Sequence, residues 1–347
     1  MAYTTIDKPS ENFTPFLWTG DGTSPKSFTG VGLQADMLWS KIRTDVHQNN
    51  IVDTVRGVDQ RLLMPDSTNA EDTTCTHGHF DSLDSDGFTI TGASGYWNVN
   101  TNTENYVGWF WKGGGTASSN TDGDITSNVS VNTTAGFSIG KFTGTGSTST
   151  VGTGLTGTQM VILKNRDTAS TNWVVYHNLV DGSYDFAYLN LTNASSNSAL
   201  SHTLGSTFKV GTNSDTNATG DEYVFYAFKS IKGYSRLGTY IGNNSTDGSF
   251  IHTGFKPAFV MIKVAVGNTG GWDMYDSARA LDNATVERLQ ANANAAETTN
   301  DAIDLLSNGF KIRNTTGNQN GSGNTHIYLA IAENPFVTSS GLPTTAR

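Results

Sequence analysis

The sequence predicts an all-β protein of three tandem antiparallel β-sandwich repeats, and three observations predict it. Short runs of β-branched and aromatic residues alternate with clusters of Gly, Asn, Asp and Ser, while sustained helical periodicity is almost absent. One succession of motifs occurs three times, at a domain-sized period of about 100 residues. Charged residues make up only 15% of the chain while glycines number 38, so chain reversals should be frequent and long solvated helices rare.

The elements follow in order. After an arm at 1–12, the first repeat (13–112) carries WTGDG at 18–22, VGL at 31–33, DMLWSK at 36–41, SDGFTI at 85–90 and YVGWFW at 106–111. The second (137–232) carries FTGTG at 142–146, TGL at 153–155, QMVILK at 159–164, STFKV at 206–210 and YVFYAF at 223–228. The third (233–336) carries YIGNN at 240–244, TGF at 253–255, AFVMIK at 258–263, SNGFKI at 307–312 and IYLAI at 327–331. Phe88, Phe208 and Phe310 match across the copies and are expected to point inward. The stretch at 113–136 is rich in turn formers and reads as a linker, with VSV at 129–131 able to add an edge strand. The second and third repeats join abruptly at 229–238, so they should share an interface. Residues 286–299 allow a short helix, but their alignment with 61–74 favours a strand followed by a loop. The tail at 337–347 has no core-forming pattern and should lie on the surface.

Composition also narrows function. The net charge of −10 argues against nucleic acid and anionic membranes as partners. A single cysteine, Cys75, rules out an intrachain disulfide framework. There is no apolar run long enough for a membrane helix, and the N-terminal residues lack a basic-then-apolar signal pattern. The expectation is a protein made in a cytoplasm and released without secretion, without a cofactor.

Longer phrases carry a resemblance: MAYTTIDKPS, VSVNTTAGFSI, YLNLTNA, DGSFIHTGFKPAFVMIK, WDMYDSAR, LLSNGFKIRN and IYLAIAENPF. Together they resemble marine bacteriophage structural proteins of tail-fibre type with repeated lectin-like, jelly-roll β-sandwich domains. The resemblance covers essentially the whole chain. It implies a non-enzymatic virion component acting as a tail-fibre or host-attachment module, with a capsid decoration or head-fibre protein as the alternative. Implied partners are other virion proteins, further copies of the chain (a trimer if it is a fibre) and a host surface glycan. The resemblance carries over no catalytic residues.

Whatever recurs in all copies reads as scaffold, and whatever occurs once is a candidate for function. Asp53 and Arg56 correspond to Asp276 and Arg279, which favours salt bridges over a ligand clamp; Glu71 matches Glu297, and Trp173 matches Trp272 as core. Lys41, Lys164 and Lys263 recur and are expected to snorkel over the sandwich rim. Cys75, His77 and His79 are unique to the first copy, and on an extended segment would share one face, open to a metal or simply an exposed loop. Asp81, Asp84 and Asp86 read as a hairpin turn, with calcium as the other reading. Tyr96, Trp97 and Asn98 place an aromatic pair in a polar loop, a composition that suits sugar stacking or an interface. A glycan depolymerase would need converging carboxylates, which sequence spacing does not reveal.

Overall fold

The computed structural model describes residues 3–92, 99–280 and 282–344. It is all-β, with antiparallel pairing throughout the ladders of the named strands. The first segment contains β1 (Phe13–Thr19), β2 (Lys26–Thr29), β3 (Met37–Ile42), β4 (Asn50–Asp53), β5 (His79–Asp84), β6 (Gly87–Thr91) and β7 (Asn105–Trp111). Next come β8 (Ser118–Asn120) and β9 (Ser127–Asn132). The second segment has β10 (Phe137–Thr143), β11 (Ser149–Gly152), β12 (Met160–Asn165), β13 (Val174–His177), β14 (Asp185–Tyr188), β15 (Ser196–Asn197), β16 (Thr207–Val210) and β17 (Glu222–Phe228). The third has β18 (Ser235–Ile241), β19 (Phe250–His252), β20 (Phe255–Val266), β21 (Trp272–Asp276), β22 (Thr285–Gln290), β23 (Thr298–Leu306), β24 (Gly309–Ile312) and β25 (Thr325–Pro335). No helix among the described residues is long and apolar enough to cross a membrane.

One strand order recurs. The sequences β1-β7-β3-β4, β10-β17-β12-β13 and β18-β25-β20-β21 each place the segment's last long strand beside its first. A smaller ladder covers the outer face of each: β2-β6-β5, β11-β16, and β19-β24-β23. Phe88, Phe208 and Phe310 are fully buried, each in a different outer core. Gly87 and Gly309 open β6 and β24 where a Cβ would lie 1.8 and 2.0 Å from the carbonyl oxygens of Phe28 and Ile251, so only glycine fits there.

The inner faces of all three large sheets meet in a shared core. Along β7, Val107, Trp109 and Trp111 face this common cluster, while Tyr106 and Phe110 face the first segment's own core. The same split separates Val224, Tyr226 and Phe228 from Tyr223 and Phe225, and Ile327, Leu329 and Ile331 from Tyr328 and Ala330. Burial on both faces explains why these strands read as continuous apolar runs instead of alternating ones. Between the segments at the centre, rings approach closely: Phe13 and Phe259 lie 5.7 Å apart, and Trp111 and Phe137 6.3 Å apart.

Two expectations are corrected by this packing, the linker and the snorkelling lysines. Residues 113–136, read as a linker, contain β8 and β9, which extend the second segment's sheet through pairs such as Ile139 with Ser130. Ile125 and Val129 supply the second outer core, and those few apolar side chains are what anchor the stretch. The arm at 1–12 packs on the third segment and the shared core: Ile6 enters that core, Tyr3 donates to the Gly254 carbonyl at 2.7 Å, and Asp7 accepts from the Ser339 amide at 2.6 Å. Lys41, Lys164 and Lys263 do not snorkel. All three are buried, and each ammonium donates to a carbonyl in the loop that follows, at His47 (2.5 Å), Thr171 (2.7 Å) and Gly270. Lys41 also donates to the third segment's Asn294 carbonyl at 3.1 Å, because the neighbouring segment covers the rim over which it would have reached water. Burial pushes all three lysines down to about 8. Residues 285–290 form a strand, the reading favoured from sequence.

Candidate functional site

Polar seams join the segments. At the end of β4, Asp53 accepts the backbone N–H groups of Val55 and Arg56 at 3.0 and 2.9 Å and pairs with the Arg56 guanidinium at 2.6 Å. Arg56 also donates to Glu71, and Glu71 accepts from Arg166 of the second segment at 2.7 Å. Tyr226, again from the second segment, donates its hydroxyl to Asp53 at 2.8 Å. The third segment meets the first in the same way. Arg279 pairs with Asp276 at 2.6 Å and with Glu297 at 2.9 Å, Arg43 donates to Glu297 at 2.8 Å, and Trp109 donates to Asp276 at 2.9 Å. Burial is the largest influence and opposes the charge on Arg56 and Arg279, but Asp53 with Glu71, and Asp276 with Glu297, together outweigh it and raise both guanidinium pKa values.

The remaining seam, between the second and third segments, keeps the backbone and changes the side chains. The amides of Glu71, Ser195 and Glu297 donate to the carbonyls of Arg166, Ala265 and Arg43 at 2.8, 2.9 and 2.8 Å, which puts the three in equivalent places. There Ser195 replaces the glutamate and Ala265 the arginine, and His177 occupies the aspartate position with its Nε2 2.9 Å from the Ser195 hydroxyl. Burial pushes His177 down to about 4, so it is neutral at pH 7.

A cleft of about 270 Å³ opens on the outer face of the second segment. Phe186 and Tyr188 in β14 and Tyr184 just before it occupy alternate positions, so all three lie on one face. Register pairs Phe186 with Tyr176 and Tyr188 with Val174, placing four side chains side by side on that face. Tyr184 stacks on Tyr176 at 4.8 Å and is buried, whereas Phe186 and Tyr188 remain half-buried and meet edge to face at 5.5 Å. The small ladder here has only two strands, β11 and β16, so the far edge of the large sheet overhangs it. The opposite wall comes from Ser198, Ala199, Leu200 and the stretch 211–216. On that wall Asp215 accepts from the Asn172 amide at 2.7 Å, and Asn172 is itself fixed by the buried Asn190 at 2.9 Å. Burial, then Asp215, raises the Tyr188 pKa. The Tyr188 hydroxyl and the Asn213 side-chain amide nitrogen have no hydrogen-bond partner among the described residues.

Residues 8–335 match a family model described as Domain of unknown function (DUF7483). The chain belongs to this family. No curated protein and no solved structure matches it.

The remaining sequence candidates of this DUF7483 family member fall out one by one. Tyr96, Trp97 and Asn98 lie outside the described residues. Cys75, His77 and His79 do not share a face: β5 begins only at His79, while Cys75 (φ 42°) and Gly78 (φ 106°) turn the backbone between them, so the alternation of an extended strand does not apply. Cys75 is buried, donates to the Asp72 carbonyl at 3.3 Å, and is pushed up to about 12 by burial and Asp72, so the thiol is protonated at neutral pH. Asp81, Asp84 and Asp86 diverge. Asp81 accepts from Thr91 at 2.7 Å, Asp84 from Ser82 at 2.7 Å, and Asp86 from the Gly32 amide at 2.7 Å, as a capped hairpin requires. The structure instead regroups His79 with Asp59 and Asp81, at 3.2 and 2.8 Å. Asp53, Arg56, Asp276 and Arg279 are in salt bridges, matching the scaffold reading, and Glu71 and Glu297 complete their networks. The β14 cleft was missed, although the aromatic residues at every second position in SYDFAYLN signal it.

Proposed function

We propose that this chain is a non-enzymatic structural component of a bacteriophage particle, acting as a tail-fibre or host-attachment module. In this reading three tandem β-sandwich repeats, jelly-roll or lectin-like in type, close into a ring within one polypeptide and hold surface loops on a rigid base. One observation carries the reading: the donors at equivalent places run in a cycle. Trp173 of the second segment donates to the Met64 carbonyl of the first at 3.0 Å, Trp272 of the third to Tyr188 of the second at 2.9 Å, and Asn49 of the first to Gln290 of the third at 3.2 Å. Head-to-tail contacts of this kind terminate only when the rotation closes, and three copies close it here. The buried carboxylates Asp53 and Asp276 are held in the seams by Arg56 and Arg279, and the buried Asp273 by Gln290 and Gln319, which supports a structural over a depolymerase reading.

A capsid decoration or head-fibre role is the second reading, favoured by the fact that one chain already contains the threefold arrangement a fibre would otherwise build from three. In this second reading light scattering gives the 37.1 kDa of a single chain, whereas a fibre gives the mass of a trimer. A map of the intact particle tests both readings. A three-lobed body on the tail supports attachment, one on the capsid supports decoration, and absence from purified particles overturns the proposal. Release of reducing ends from host polysaccharide would establish the enzymatic alternative.

A further inference from the structure

We propose that the β14 cleft binds the terminal residue of a neutral, hydroxyl-rich glycan, a single pyranose seated on Phe186 and Tyr188. The inference rests on the attachment reading and names the ligand class for it.

The cleft's size comes first. Its volume of about 270 Å³ leaves room for one sugar ring. Its chemistry comes second. The half-buried rings of Phe186 and Tyr188 present apolar surface to pyranose C–H groups, and such rings adsorb a ligand with little loss of side-chain freedom. Opposite them Asp215 is held in place through Asn172 and Asn190, so its carboxylate can accept from two neighbouring hydroxyls without reorganising. Asn213 uses its oxygen to accept from Thr216 at 2.9 Å, which leaves both amide hydrogens free to donate. The Tyr188 hydroxyl, also free, can do either.

Charge decides the class. An acidic sugar would bring its carboxylate towards Asp215 on a chain of net charge −10, so a neutral glycan is selected. The aromatic pair of the cleft is not repeated in the other segments. The places of Phe186 and Tyr188 hold Leu62 and Met64 in the first and Arg288 and Gln290 in the third, consistent with a site carried once on a repeated scaffold.

The test uses the full chain and saturation-transfer NMR with methyl glycosides of glucose, galactose, mannose and N-acetylglucosamine, with methyl glucuronide as the acidic probe. At least one neutral glycoside is expected to show saturable transfer at its ring C–H protons, and the glucuronide none. Tyr188→Ala and Phe186→Ala, with an unchanged melting temperature, should each weaken binding about tenfold, while Tyr188→Phe should keep most of the ring contact. Asp215→Asn should weaken binding too, but Asp215 also caps Asn172, so the aromatic variants decide. The inference is overturned if no neutral glycoside saturates, or if both alanine variants bind as the wild type does. A silent cleft in a protein found on particles removes this inference alone. A binding cleft in a protein absent from particles removes the attachment reading alone.

Discussion

The indole N–H of Trp109 donates to the carboxylate of Asp276 at 2.9 Å, joining residues 167 positions apart. The Tyr226 hydroxyl does the same for Asp53, so one aromatic donor on a central strand closes each of two seams over a buried aspartate. In both places the aspartate also holds an arginine, and the arginine holds a glutamate.

Removing that arginine should therefore be costly. Arg56→Met leaves Asp53 and Glu71 buried without their principal cation, and a loss of about 3–5 kcal/mol is expected in urea unfolding. Arg279→Met should behave alike, although Arg43 still holds Glu297 at 2.8 Å. A change below about 1 kcal/mol would show that the seams are not under load.

Trp173→Phe keeps most of the buried ring but deletes the donor to the Met64 carbonyl. The Met64 carbonyl keeps the Ser67 amide as a donor at 3.0 Å, so the loss is that of one hydrogen bond, about 0.5–1.5 kcal/mol, and should appear as a lower urea midpoint at unchanged slope.

Phe88→Ala, Phe208→Ala and Phe310→Ala should each destabilise by about 3–5 kcal/mol, since all three rings are fully buried. If one of them is tolerated, the three outer cores are not equivalent in weight.

Stability should rise between pH 8 and pH 9. Burial holds Lys41, Lys164 and Lys263 at about 8 in the folded chain, below the ordinary lysine value. The unfolded chain then binds more protons across this window, so raising pH favours the fold. Thermal melts at the two pH values check the sign, and a falling melting temperature would contradict it.

Proteinase K should not cut first within 113–136. Ser118–Asn120 and Ser127–Asn132 are paired strands, and opening them exposes Ile125 and Val129 from the second core. Early cleavage there would restore the linker reading.

Sequence by itself determined the all-β class, the threefold recurrence of motifs, the buried Phe88, Phe208 and Phe310, and the pairing of Asp53 with Arg56 and of Asp276 with Arg279. Those features are local: turn chemistry, alternation and a three-residue spacing carry them. The runs YVGWFW, YVFYAF and IYLAI held a further clue, because strands apolar on both faces must be covered on both sides. Tertiary structure alone decided what covers them. Which segment's Arg166 or Arg43 reaches which glutamate depends on how whole sheets dock, and no periodicity encodes a partner about 100 or more residues away. The same holds for the cleft: alternation places Phe186 and Tyr188 on one face, but only the short ladder β11-β16 leaves that face open, and only the docked stretch 211–216 brings Asp215 opposite to it.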